Sequence, residues 1–152
     1  MRGVVHEIHI APEQGGAVER VDRVDAVAER GLRGDRYFRE DGTFSDRDGC
    51  DLTLIEREAV TAIEREYDIS LESGSHRRNV TTEGVALNHL VGERFRIGDA
   101  VCVGEELCEP CSYLERLLSK RGLTEALTHR GGLRARIVRD GTIEAGDPLE
   151  LE

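Results

Sequence analysis

The stretch Arg94-Phe95-Arg96-Ile97-Gly98-Asp99-Ala100-Val101-Cys102-Val103-Gly104-Glu105-Glu106-Leu107 decides the fold. Two short runs with apolar, β-branched and aromatic residues are split by Gly98-Asp99, a pair that suits a tight turn. The spacing predicts a hairpin with strands over 94–97 and 100–107. Similar punctuation recurs downstream, where strands over 134–139 and 148–151 flank turns at Asp140-Gly141 and Gly146-Asp147. Upstream, 4–10 sets Val4, Ile8 and Ile10 on one side at period two and stops at Ala11-Pro12 and Gly15-Gly16. Over 18–27 a valine returns every third position, which fits neither period, and the valine content favours a strand. A further short strand is expected over 51–55. Many short strands joined by Gly and Asp turns, with few helices between them, predict a mainly β fold, a barrel.

The helices are fewer. Residues 56–67 carry Ala59, Ile63 and Tyr67 at a spacing of four among charges, the mark of an amphipathic helix. Residues 112–120 set Tyr113, Leu117 and Leu118 on one face, and 124–129 continue helically after a break at Gly122. Residues 30–49 are dense in Gly, Asp and Arg, so an irregular loop is expected there, a candidate wall of a site. A polar loop through Gly74, Ser75 and His76 leads to Arg77-Arg78-Asn79-Val80-Thr81, then to a turn at Glu83-Gly84 and a short apolar stretch over 87–91.

At 152 residues the chain fits one domain over 1–152 and is long enough to bury a sizeable core. No apolar run approaches the length of a membrane span, and no basic start precedes an apolar leader, so a cytoplasmic protein without membrane contact is expected. With 31 acidic against 21 basic residues the formal charge is −10. Phosphate neutralisation needs the opposite balance, which argues against nucleic acid as a partner. Lys120 is the only lysine; all other basic residues are arginine. An acidic, lysine-poor, arginine-rich chain suits strong brine and points to a halophilic archaeon, with acids spread over the exterior and arginines gathered near a site; the alternative is an ordinary acidic cytosolic protein from a high-GC genome.

Four cysteines, Cys50, Cys102, Cys108 and Cys111, are too few and too uneven for a disulfide framework. Cys108-Glu109-Pro110-Cys111 falls between a predicted strand and a predicted helix. A thiol just before a helix faces free backbone amides and the positive end of the helix dipole, which favours the thiolate; Cys111 is better placed for this than Cys108. Three other readings compete: a zinc site, short of a second ligand pair; a dithiol redox centre, which would want a βαβ setting; and two cysteines that merely pack. A second constellation is Arg77-Arg78-Asn79, with Arg33 and Arg36 in the loop and Arg130, Arg134 and Arg136 downstream. Gathered in one pocket, these would hold an anion; apart, each would pair with a surface carboxylate.

Five pieces in order span nearly the whole chain: Gly31-Leu32-Arg33-Gly34-Asp35-Arg36; Arg78-Asn79-Val80; Leu90-Val91-Gly92 followed by Phe95-Arg96-Ile97-Gly98; Glu109-Pro110-Cys111; and Gly141-Thr142-Ile143 with Gly146-Asp147. The ordered set resembles MOSC domains, named for the C-terminal domain of molybdenum cofactor sulfurases and known also as stand-alone bacterial and archaeal proteins. The resemblance implies a β-barrel related to that of pyruvate kinase, with one functional cysteine that matches Cys111. In related amidoxime-reducing enzymes that cysteine ligates molybdenum held by a pterin. Arg78 and Asn79 match the family's anion-binding strand, and Arg33, Gly34, Asp35 and Arg36 its Gly-Asp-Arg piece, in which Tyr37 stands where many relatives carry histidine.

The resemblance thus implies a protein that binds molybdenum cofactor, Mo-molybdopterin, with the Cys111 thiolate as molybdenum ligand or sulfur acceptor. If catalytic, it would reduce N-hydroxylated compounds with electrons from a separate redox partner; a carrier of sulfur or cofactor serving a sulfurase, or a Cys108/Cys111 thiol oxidoreductase, are the alternatives. A single lysine offers little basis for covalent pyridoxal phosphate.

Overall fold

The computed structural model describes residues 2–13, 15–38, 51–109 and 112–152. Among them, eleven strands and three α-helices follow one another in the order β1 (Arg2–Ile10), β2 (Glu19–Val21), β3 (Arg23–Val27), β4 (Gly31–Leu32), β5 (Leu52–Glu56), α1 (Arg57–Tyr67), β6 (Val80–Glu83), β7 (Arg94–Ile97), β8 (Ala100–Leu107), α2 (Ser112–Leu118), α3 (Leu123–Ala126), β9 (Leu133–Arg139), β10 (Gly141–Glu144) and β11 (Pro148–Leu151). The sheet runs β11-β7-β8-β9-β5-β6-β1-β2, and β11 pairs again with β1, so seven strands close a barrel with β2 appended to β1. The predicted mainly β barrel is the fold.

The hairpin forms as read: Phe95 and Ile97 face Cys102 and Ala100 across β7 and β8, all four fully buried. With Val5, Ile8, Leu52, Leu54, Val80, Ala135, Ile137 and Leu149 they fill the barrel interior. A second sheet, β10-β3-β4, adds Val24, Ala26, Leu32 and Ile143 to that core.

Several boundaries depart from the sequence reading. The single strand expected over 18–27 breaks at Asp22, because β2 pairs with β1 while β3 pairs with β10 in the other sheet. Gly31–Leu32, inside the expected irregular loop, pairs with β3, and Gly141–Glu144, taken as turn and connector, is a strand. The stretch near Leu87 forms a short 3-10 turn over Leu87–Leu90. In β1, a bulge between Val5 and Glu7 resets the alternation. Val5 and Ile8 therefore point inward, whereas Val4, expected beside Ile8, is 37% exposed.

α1 is held by Ala59 and Ile63, both buried, and ends on Asp68 in the left-handed conformation, whose N–H closes onto Ile63 and Glu64 carbonyls. It lies between β5 and β6, the one parallel pair among the described barrel strands. Ile63 joins Ile55, Ile69, Leu114, Leu123, Ala126 and Leu127 in a satellite core outside the barrel. That cluster fixes α2 and α3, and with them the start of the segment that follows Cys111. No described helix is long and apolar enough to cross a membrane.

Candidate functional site at one end of the barrel

Cys111, Pro110 and the loop residues 39–50, Cys50 included, lie outside the described residues. The residues around them lie where Leu107 at the end of β8 pairs with Leu133 at the start of β9, Leu133 with Leu54 of β5, Leu54 with Val80 at the start of β6, and Val80 with Ile8 near the end of β1. Cys108 is 7% exposed, and its N–H donates to Gly132 O at 2.7 Å. Glu109 accepts from the His129 N–H at 2.9 Å and from His129 Nδ1 at 2.9 Å. The segment leading into Cys111 is thereby tied to the turn between α3 and β9. Gly132 permits the crossing there, since a Cβ on it would stand 2.0 Å from Leu54 O.

Arg78 completes this tie. Its Nε donates to Gly131 O at 2.8 Å, its Nη1 to His76 O at 3.0 Å and its Nη2 to Cys108 O at 3.5 Å. The guanidinium is committed to three backbone carbonyls, so Arg78 acts as a positioning residue for the cysteine segment. Asn79 is 2% exposed and equally committed. Its Oδ1 accepts from Thr53 N–H at 3.0 Å and Thr53 Oγ1 at 3.2 Å, and its Nδ2 donates to His9 O at 3.1 Å. It clamps β5 to β1.

Just past the end of β1, two residues after His9, the Gly-Asp-Arg piece arrives. Asp35, 6% exposed, accepts from Ala11 N–H at 2.9 Å and from Arg36 Nη1 at 3.1 Å, while Arg36 N–H donates to Ala11 O at 2.9 Å. Arg36 stacks over Tyr37, 4.4 Å from the ring centroid. The backbone of Gly34, at φ +92°, lies against Ile10. Arg33 turns outward to Asp25 at 3.8 Å and over Phe38. The structure therefore brings Gly34, Asp35, Arg36, Arg78 and Asn79 to the barrel end that carries Cys108 and Glu109. The downstream arginines do not join them. Arg130 pairs with Glu66, Arg134 with Glu106, and Arg136 with Glu105 and Glu29. The expectation that arginines gather at the site is corrected: besides these three, Arg20, Arg23, Arg57, Arg65 and Arg94 also stand on the exterior beside carboxylates.

Sequence reasoning did not separate Arg77 from its neighbours. Arg77 sits at φ +65°, a conformation costly for a residue with a Cβ. From there Nη1 donates to Gly16 O at 2.8 Å, while Nη2 is buried with no partner among the described residues. The same loop comes close to α2, since a Cβ on Gly15 would stand 3.7 Å from the Tyr113 hydroxyl. Among the described residues Arg77 thus keeps a buried donor unspent at this end, and its signal is the positive φ, invisible in the sequence.

Two histidines brace the same turn. His76 Nδ1 accepts from Arg78 N–H at 3.0 Å, which leaves the ring proton on Nε2, 3.2 Å from Thr81 Oγ1. Burial first, then the positive charge of Arg78 and His9, pushes the His76 pKa down to about 3. His9 packs edge-on to it, 6.1 Å between centroids. His9 Nε2 faces Ser73 Oγ at 3.1 Å, and that hydroxyl donates to Glu7 Oε2 at 2.9 Å. The His9 pKa is also lowered, mainly by burial.

His76 must stay neutral to accept from Arg78, so it couples folding to acid. Between its unfolded value near 6.5 and about 3, the unfolded chain binds the proton that the folded chain refuses. Stability is full above pH 6.5 and falls as pH drops through this window, by up to about 1.4 kcal/mol per pH unit. In urea titrations at pH 7 and pH 4.5, His76→Asn is expected to lose less stability on acidification than the parent chain. An unchanged acid slope would contradict this account.

Among the described residues no three His, Cys, Asp or Glu side chains gather as metal ligands. Cys102 lies in the barrel core, and burial, then the nearby Asp51 charge, pushes its thiol pKa far up.

The barrel is that of several solved proteins. YUAD from Bacillus subtilis superposes with a TM-score of 0.84 at 18% identity, over 99% of this chain and 95% of that one. YiiM from Geobacillus stearothermophilus gives 0.74 at 17% identity, over 99% and 75%, and YiiM from Escherichia coli 0.72 at 22%, over 100% and 70%. No curated protein matches. The MOSC domain model matches residues 41–150, more than two thirds of the sequence, and the chain belongs to the MOSC domain family.

Proposed function

We propose that this barrel end binds molybdenum cofactor, with the Cys111 thiolate as molybdenum ligand or sulfur acceptor. The observation that carries the reading is the free, buried Nη2 of Arg77 beside the loops that flank the cysteine. A buried guanidinium donor left unpaired is costly, and a phosphate oxygen would satisfy it with a short charge-assisted bond. The donor set therefore fits a phosphorylated pterin. Arg77 would hold the anion, Gly34, Asp35 and Arg36 would wall it, and Arg78 and Asn79 would act through the backbone they fix. Arg33, turned outward, would meet the ligand only at the rim.

The bound group would supply a two-electron redox centre, with electrons from a separate partner protein, for the reduction of an N-hydroxylated base. Protein purified from its native host is expected to carry about one molybdenum per chain and to turn over an N-hydroxylated base with an added electron donor. Molybdenum without turnover would make it a carrier. Absence of both metal and pterin after reconstitution would overturn the reading.

A further inference from the structure

The far ends of β7 and β9 border a cleft that the cofactor reading does not use. There a cleft of about 510 Å³ is lined by Arg96, Gly98, Asp99, Arg139 and Asp140. It opens at the start of β8, whereas the cysteine segment follows the end of β8, so the two are separated by the strand's length, roughly 25 Å. Arg96 and Arg139 flank Val101 across three adjacent strands, so both stand on the outer face. For Arg139 this requires a defect. Ile137 faces Cys102 and Arg139 faces Val101, so β9 spends two residues where β8 spends one, and the bulge turns Arg139 outward beside Arg96.

Charge pairing marks the same two residues. The other outward arginines of these strands are matched: Arg94 with Glu152, Arg134 with Glu106, Arg136 with Glu105 and Glu29. Arg96 and Arg139 have no ion pair among the described residues, in a chain with ten more acids than bases. The carboxylate of Asp140 is engaged on the Ala28 N–H at 2.7 Å. Two guanidinium forks thus face one cleft with their donors unspent, the geometry that grips a phosphate. Asp99 at the rim offers an acceptor to a hydroxyl.

We propose that this cleft binds a small phosphate ester of a hydroxylated compound, independently of the cofactor site. The test follows backbone amide resonances during titration with inorganic phosphate, then ribose 5-phosphate, at constant ionic strength with chloride as the control. Saturable shifts centred on Gly98, Asp99 and Asp140 are expected, with ribose 5-phosphate tighter. Arg96→Gln and Arg139→Gln should each weaken binding about tenfold or more, as loss of a charge-assisted bond implies. Arg94→Gln should leave it unchanged. Shifts that chloride reproduces, or an equal loss in Arg94→Gln, would overturn the site; equal affinity for the two phosphates would overturn the hydroxylated ester.

Discussion

Replacing Cys111 by serine is expected to abolish retention of molybdenum and pterin, while Cys108→Ser retains most of both. A thiolate is a soft donor that binds molybdenum as an anion; a serine hydroxyl stays protonated at neutral pH and is hard. Changes to groups that merely orient metal ligands already cost about 10–100-fold in affinity, so loss of the ligand itself should exceed that. Cys108 differs in kind: it is 7% exposed, and its N–H and carbonyl are taken by Gly132 and Arg78. Serine there keeps both backbone bonds and costs packing only. Metal and pterin content after reconstitution read the outcome, and alkylation with mass analysis should find Cys111 modified before Cys108 or Cys102. Equal loss in both variants would favour a dithiol or a metal pair. No loss in either would end the cofactor reading.

The second large effect is on stability. Asn79→Ala should destabilise the chain by about 3 kcal/mol, because it strands the part-buried Thr53 N–H and the buried His9 carbonyl at once. For a chain of this size that is a fall in Tm of about 6–12 °C. The loss should appear equally with and without cofactor, since the side chain is 2% exposed and spent on β1 and β5. A variant with unchanged Tm but weakened cofactor binding would make Asn79 a ligand contact instead of a clamp.

The barrel was legible because its signals are local. Phe95 and Ile97 alternate with arginines, Gly98-Asp99 supplies the turn, and Ala59 with Ile63 gives α1 its buried stripe. What failed were features decided by partners distant in sequence. The Val4 side was misjudged because the bulge in β1 answers to β6, about 75 residues away in the chain, and the 18–27 run divides because two different sheets claim its halves. At the candidate site, the ordered motifs named residues that the fold brings near one another but could not rank the arginines. Arg77, Arg78 and Arg36 read alike as letters; only hydrogen bonding shows that Arg78 holds carbonyls, Arg36 holds Asp35 and Arg77 keeps a donor free.

Closure of the barrel through β1 and β11 sets an order of events during synthesis. Arg2 lies opposite Glu150 and Val4 opposite Pro148, so the first strand keeps one edge unpaired until residues 148–151 have left the ribosome. Pairings this distant form late, after loop closure across nearly the whole chain. Until then β1 offers a bare strand edge to other chains, and nascent or truncated copies lacking β11 should be the aggregating species. The loops that flank Cys111 reach their final places only on a sheet whose last seam is the one joining its two most distant strands.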